Sequence, residues 1–166
     1  AQGARHNVIL FVPDGLRGAI VDAGPAPEMD RLQRAGVRFP KSHAIFPTFT
    51  TANASSMATG HLLGDTGDFS NTIYAGYKVP AAALSFTPFL ENDPVIADID
   101  EHFGGNYLDE ASILAAAHDA GYATAAIGKL GPVAIFDAAD TQATRTIVID
   151  DATGRTTADG KPVGRP

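Results

Sequence analysis

Two stretches of this sequence carry residue types that could do metal or phosphorus chemistry. In the first, Asp14 follows the apolar run Val8 to Val12 through Pro13 and precedes Gly15. Parallel α/β sheets bind ligands beyond the carboxyl ends of their strands, and a glycine there lets a ligand approach closely. Asp-Gly is also a common turn dipeptide, so the pair alone fits a bend as well as a metal ligand. The second stretch leads through Phe46, Pro47, Thr48 and Phe49 into Thr50, Thr51, Ala52 and Asn53, and runs on in small residues to Thr59 and Gly60. It predicts a helix whose start is presented by an extended lead-in. The unpaired N–H groups and positive dipole end of such a helix favour an anion such as phosphate. A hydroxyl held there can attack phosphorus if a metal lowers its pKa. Plain N-capping by Thr50 or Thr51 would account for the same hydroxyls.

Lys129 follows the predicted strand Ala123 to Ile127, which puts it at the carboxyl end of the sheet. It reads equally as a phosphate ligand and as a solvated surface lysine. The histidines, His6, His43, His61, His102 and His118, are scattered, and none forms a pair at metal-ligand spacing. The chain has no cysteine, which excludes disulfides, thiolate zinc sites and cysteine nucleophiles. Any metal would be held by carboxylate, imidazole or hydroxyl oxygen.

The elements that would position these groups alternate between strand and helix. The continuous apolar run from Asn7 to Val12 suits a strand buried on both faces of a parallel sheet. Pro27 to Ala35 reads as a helix with proline near its first position and Gly36 as its stop. Val37 to Phe39 is extended, Thr50 to Thr59 is the small-residue helix, and residues 61–106 read as long loops with little regular structure. Glu110 to Ala120 is a predicted helix capped by Asp109, with Ile113, Leu114 and Ala117 on one face and Gly121 as its stop. Strands are expected over Tyr122 to Ile127 and Thr146 to Ile149, separated by a turn from Gly128 to Gly131. A loop or hairpin is expected from Asp151 to Pro166. The pattern is α/β, with a mainly parallel sheet and helices on both faces.

A length of 166 residues fits one domain, and a 45% apolar, 19% charged composition is a globular mixture. The longest apolar run is far short of the roughly 20 residues of a transmembrane helix. With a net charge of −7 and no dense Lys/Arg cluster, binding to a nucleic-acid duplex is not expected. Ala1 in place of Met points to a removed signal peptide or to trimmed residues. The lack of cysteine fits a periplasmic or secreted protein.

Asn7 to Gly15, then Pro27 to Phe39, then Pro47 to Asn53 with Thr59-Gly60, occur in an order and at spacings that resemble the alkaline phosphatase superfamily. The closest branch is the type I phosphodiesterase/nucleotide pyrophosphatase family, and the resemblance runs from about Asn7 to Asp137. It implies an alkaline-phosphatase-like fold and a metal-dependent hydrolase of phosphate esters or nucleotides. Asp14 matches a ligand of one of two zinc ions. Thr50 matches the nucleophile, also metal-bound, because Asn53 stands three residues on; Thr48 and Thr51 lack that relation. Asn71 matches a second asparagine that hydrogen-bonds a phosphoryl oxygen. Relatives that prefer monoesters carry a lysine and an arginine two residues apart; Lys129 matches the first, but Gly131 stands at the second.

The remaining ligands of that family, further Asp and His residues, have no counterpart here. Residues 1–166 are therefore read as the N-terminal half of one catalytic domain. The missing half would be its partner, any zinc would be only partly held, and this chain alone would be inactive. The alternatives are a phosphomonoesterase, argued from Lys129, and an inactive fragment that binds an anion or metal weakly. A sulfatase fits poorly, since Thr50 to Asn53 lacks the required nucleophile motif. The aromatic side chains Tyr77, Phe86 and Phe89 could stack on a substrate ring, though covering the core is the simpler reading.

Overall fold

The computed structural model describes residues 6–22, 24–138 and 146–151. Contacts divide the chain into two units, residues 1–43 and 44–166.

The described residues of the first unit form two helices, α1 (Gly18–Asp22) and α2 (Pro27–Ala35). Helix α2 starts and stops where its punctuation predicts. Pro27 occupies the first turn, where its missing N–H is no loss, and the Gly36 N–H closes the last turn on the Leu32 carbonyl. Asp30 pairs with Arg34 one turn on and accepts from Gln33. The apolar run before these helices departs from expectation. Residues 7–12 form no strand among the described residues, and Val8, Ile9 and Phe11 are 89%, 90% and 74% exposed. A strand buried on both faces needs neighbours on its edges and layers above and below. Among its described residues this unit offers two short helices, of which α2 buries no residue.

The second unit contains the core. Helices α3 (Thr50–Thr59), α4 (Leu63–Thr66), α5 (Asp93–His102), α6 (Ile113–Asp119) and α7 (Pro132–Asp137) accompany a parallel pair of strands, β1 (Thr124–Gly128) and β2 (Thr146–Asp150); α6 and α7 pack on the pair, and Ile127 and Ile147 of the strands are exposed. The two strands run in register from Thr124 opposite Thr146 to Gly128 opposite Asp150. Parallel pairing with helices places the fold in the α/β class. Helix α3 ends as predicted, at Gly60 in the left-handed conformation that closes the helix on the Ser56 carbonyl. Its small residues are used for close approach, since Ala52, Ala54 and Ala58 are buried and α3 packs on α7. The core also takes Leu90, Val95, Ile96, Ile99, Leu108 and Ile135.

Three expectations need correction. The region 61–106 is not mainly loop, because α5 spans Asp93–His102 and buries Val95, Ile96 and Ile99. Its start, Asn92-Asp93-Pro94, has the composition of a turn, yet a proline in the first turn suits a helix as it does in α2. Helix α7 likewise begins at a proline, after Gly131. Helix α6 starts at Ile113, not Glu110, because Ser112 caps it by accepting from the Ala115 N–H at 3.1 Å. Asp109 instead accepts from the Asn106 amide, and Ile113 is exposed rather than on a buried face. Beyond Asp151 the expected loop or hairpin lies outside the described residues.

Candidate active site

The start of α3 separates its two neighbouring threonines. Thr51 is fully buried. Its hydroxyl lies 2.9 Å from the Ser70 carbonyl and 3.2 Å from Asn71 Oδ1, and its backbone N–H donates to the same Oδ1 at 3.0 Å. Thr50, the first residue of the helix, is only half-buried, and its hydroxyl makes no hydrogen bond to a described residue. A nucleophile must meet its substrate, and a buried hydroxyl spent on two acceptors cannot. Of this adjacent pair, only Thr50 is partly exposed.

Asn53 fixes the path by which the chain reaches Thr50. Its Oδ1 accepts from the Ile45 N–H at 3.0 Å, and its Nδ2 donates to the Phe49 carbonyl at 2.9 Å. One amide side chain thus pins both ends of the lead-in to the first turn of the helix.

Asn71 reaches the same turn from a distant part of the chain. A backbone N–H can only donate, so the contact with Thr51 fixes the amide with its oxygen toward the helix. Asn71 thereby satisfies one of the unpaired N–H groups at the helix start, where Phe49 supplies no side-chain cap. Its Nδ2 points away and donates to Glu91 Oε1 at 2.9 Å. The other oxygen of that carboxylate, Oε2, forms an ion pair with Lys129. Two sequence-predicted phosphate ligands, Asn71 and Lys129, are therefore joined by a residue that sequence reading missed. The backbone explains how Glu91 arrives. The Leu90 N–H donates to the Asn71 carbonyl at 2.8 Å, and Thr72 and Phe89 form an antiparallel bridge.

Lys129 leaves the carboxyl end of β1, as expected. The turn that follows it packs against Leu90 and Glu91 at Gly131, where φ is +83° and a Cβ would meet the Glu91 Cα at 2.5 Å. The Gly131 N–H is held by Asp93 Oδ1 at 2.7 Å. No side chain fits at position 131, so the arginine that completes the lysine–arginine pair of monoesterases has no room here.

Behind the helix start, Asp68 is buried and accepts from the Ser55 hydroxyl at 2.7 Å and the Tyr107 phenol at 3.1 Å. Burial raises the Asp68 carboxyl above its ordinary value, and the bonds from Ser55 and Tyr107 only partly offset this. Burial, reinforced by the Asp68 charge, pushes the Tyr107 phenol well up. Tyr77 packs on the core and stacks on His102, but Phe86 and Phe89 remain exposed. The expectation that these aromatics cover the core holds for Tyr77 alone.

Asp14 belongs to the first unit. It is exposed, in a turn closed by the Leu16 N–H on the Pro13 carbonyl at 3.2 Å, with Gly15 at φ +76°. Among the described residues no three His, Asp or Glu side chains gather so as to hold a metal ion. Stable zinc sites take three or four protein ligands. Asp14 and Thr50 alone do not make up such a set.

Residues 8–153 match the family model of type I phosphodiesterase / nucleotide pyrophosphatase. The chain belongs to that family. No curated protein and no solved structure gives a significant match. The family match covers the α3 start, Asn71, Glu91 and Lys129 together, and it reaches slightly past the segments that carry the sequence resemblance. The type I phosphodiesterase family is one of phosphoric ester hydrolases that act on small phosphate esters or nucleotides. No helix among the described residues of this family member is long and apolar enough to cross a membrane.

Proposed function

We propose that this chain supplies Thr50 as the nucleophile for metal-dependent hydrolysis of phosphate diesters or nucleotide pyrophosphates. The observation that carries this reading is the contrast at the start of α3. Thr51 is buried with its hydroxyl bonded, whereas Thr50 is half-buried with a hydroxyl that bonds no described residue. The family match supports the reaction class.

In the proposed reaction the Thr50 Oγ1 forms a bond to phosphorus and loses its proton. The P–O bond to the leaving group, ester or anhydride, breaks, that proton leaves with the departing alcohol or phosphate, and water then cleaves the phospho-threonine, restoring the Thr50 hydroxyl and releasing the phosphate product. Glu91 takes one amide hydrogen of Asn71; the other is assigned to a phosphoryl oxygen. Lys129 supplies positive charge at the same end of the sheet. Thr51 and Asn53 hold the helix start and its lead-in, which makes them positioning residues rather than reacting ones. The metal ligation that the sequence resemblance implies for Asp14 is not built into these steps.

The test is hydrolysis of p-nitrophenyl phosphate and its bis-ester by the full-length protein, with and without a chelator. Faster turnover of the bis-ester, abolished by the chelator, is the expected result. Turnover of neither ester with zinc supplied would overturn the reading.

A further inference from the structure

We infer that Glu91 sets the charge preference of this site, selecting a singly charged phosphodiester over a doubly charged monoester. The inference rests on the reading that phosphate binds at the Thr50 end of α3. Glu91 is well placed for this role. Its carboxylate is nearly buried, with a side chain 12% exposed, and its two oxygens engage the two proposed phosphate ligands, Asn71 and Lys129.

This arrangement has two effects on an incoming anion. The carboxylate offsets much of the Lys129 charge, so the site presents less positive charge than the lysine alone would. Glu91 also adds fixed negative charge close to the anion, and like charges brought together oppose binding. Both effects grow with the charge on the ligand, and both disfavour a dianion more than a monoanion. The packing at Gly131 makes the bias permanent. Its contact with the Glu91 Cα leaves no room for a cationic side chain at position 131, and it keeps the Lys129 turn against Glu91.

Two stable probes separate the charges. Dimethyl phosphate carries one, and methylphosphonate carries two at alkaline pH. Binding of each is measured by calorimetry to the full-length protein and to its Glu91→Gln and Lys129→Gln variants. Hydrolysis of bis-p-nitrophenyl phosphate is followed on the same samples. Glu91→Gln should raise the affinity ratio of methylphosphonate to dimethyl phosphate by about tenfold or more. Lys129→Gln should lower it by about tenfold, and because Lys129 is half exposed this variant tests the idea even if Glu91→Gln fails to fold. Ratios that stay within about twofold overturn the inference, as does failure of dimethyl phosphate to bind the unmodified protein. Turnover with an unmoved ratio removes the role of Glu91 and leaves the hydrolase reading standing. A moved ratio without turnover upholds Glu91 and removes the hydrolase reading.

Discussion

Gly131 and Glu91 touch backbone to backbone, so closely that a Cβ on residue 131 would fall 2.5 Å from the Glu91 Cα. This contact seats the turn after β1 on the segment before α5, and so brings Lys129 to the Glu91 carboxylate. Gly131→Ala combines an overlap with backbone at a φ of +83°, and neither problem is relieved by moving a flexible side chain. The substitution should destabilise the protein by about 2–4 kcal/mol. Urea unfolding would show this as a lower midpoint at unchanged slope, and an unchanged midpoint would contradict the packing described.

Thr51 should matter for stability. Thr51→Val removes the donor to the Ser70 carbonyl and Asn71 Oδ1 at a fully buried position. The expected loss is about 1–3 kcal/mol, and Thr51→Ser should restore most of it. Equal stability of the valine and serine variants would count against the hydrogen bonds.

Asn53→Ala should release the lead-in to the active helix. The Ile45 N–H loses its acceptor and the Phe49 carbonyl a donor, at a cost of roughly 1–2 kcal/mol. Amide exchange at Ile45 should quicken by more than global destabilisation explains. A uniform change across the chain would place Asn53 outside this role.

The pH dependence follows from Asp68. Its carboxyl is raised above the ordinary 3.8, chiefly by burial. A carboxyl with a raised folded pKa favours folding most at acid pH, and that contribution fades as pH rises through the folded value. The unmodified protein should therefore lose stability relative to Asp68→Asn as pH rises from the ordinary carboxyl range through the raised value. Urea midpoints for both proteins over that window should diverge, and parallel curves would show that Asp68 is not perturbed.

Much of this architecture is legible in local chemistry. Pro27 and Gly36 bracket α2, Gly60 ends α3, and the apolar runs of β1 and β2 lie within two residues of their predicted bounds. Errors arise where one residue type has two meanings. Pro94 and Pro132 suit loops, but each sits in the first turn of a helix. The run from Asn7 to Val12 has the composition of a central strand, but the described residues of its own unit include no strand to pair with. Glu91 carried no local signal at all. Its meaning comes from Asn71, 20 residues away, and from Lys129 on another element, which only the folded backbone brings together.

The central claim is that Thr50 is the nucleophile. Its most direct test is the rate of bis-p-nitrophenyl phosphate hydrolysis by full-length Thr50→Ala, with thermal unfolding measured on the same preparation. Losing the attacking oxygen should lower kcat by about a thousandfold or more. The half-buried Thr50 hydroxyl, which bonds no described residue, predicts a Tm close to that of the unmodified protein. A Thr50→Ala protein that turns over at its normal rate would contradict the account.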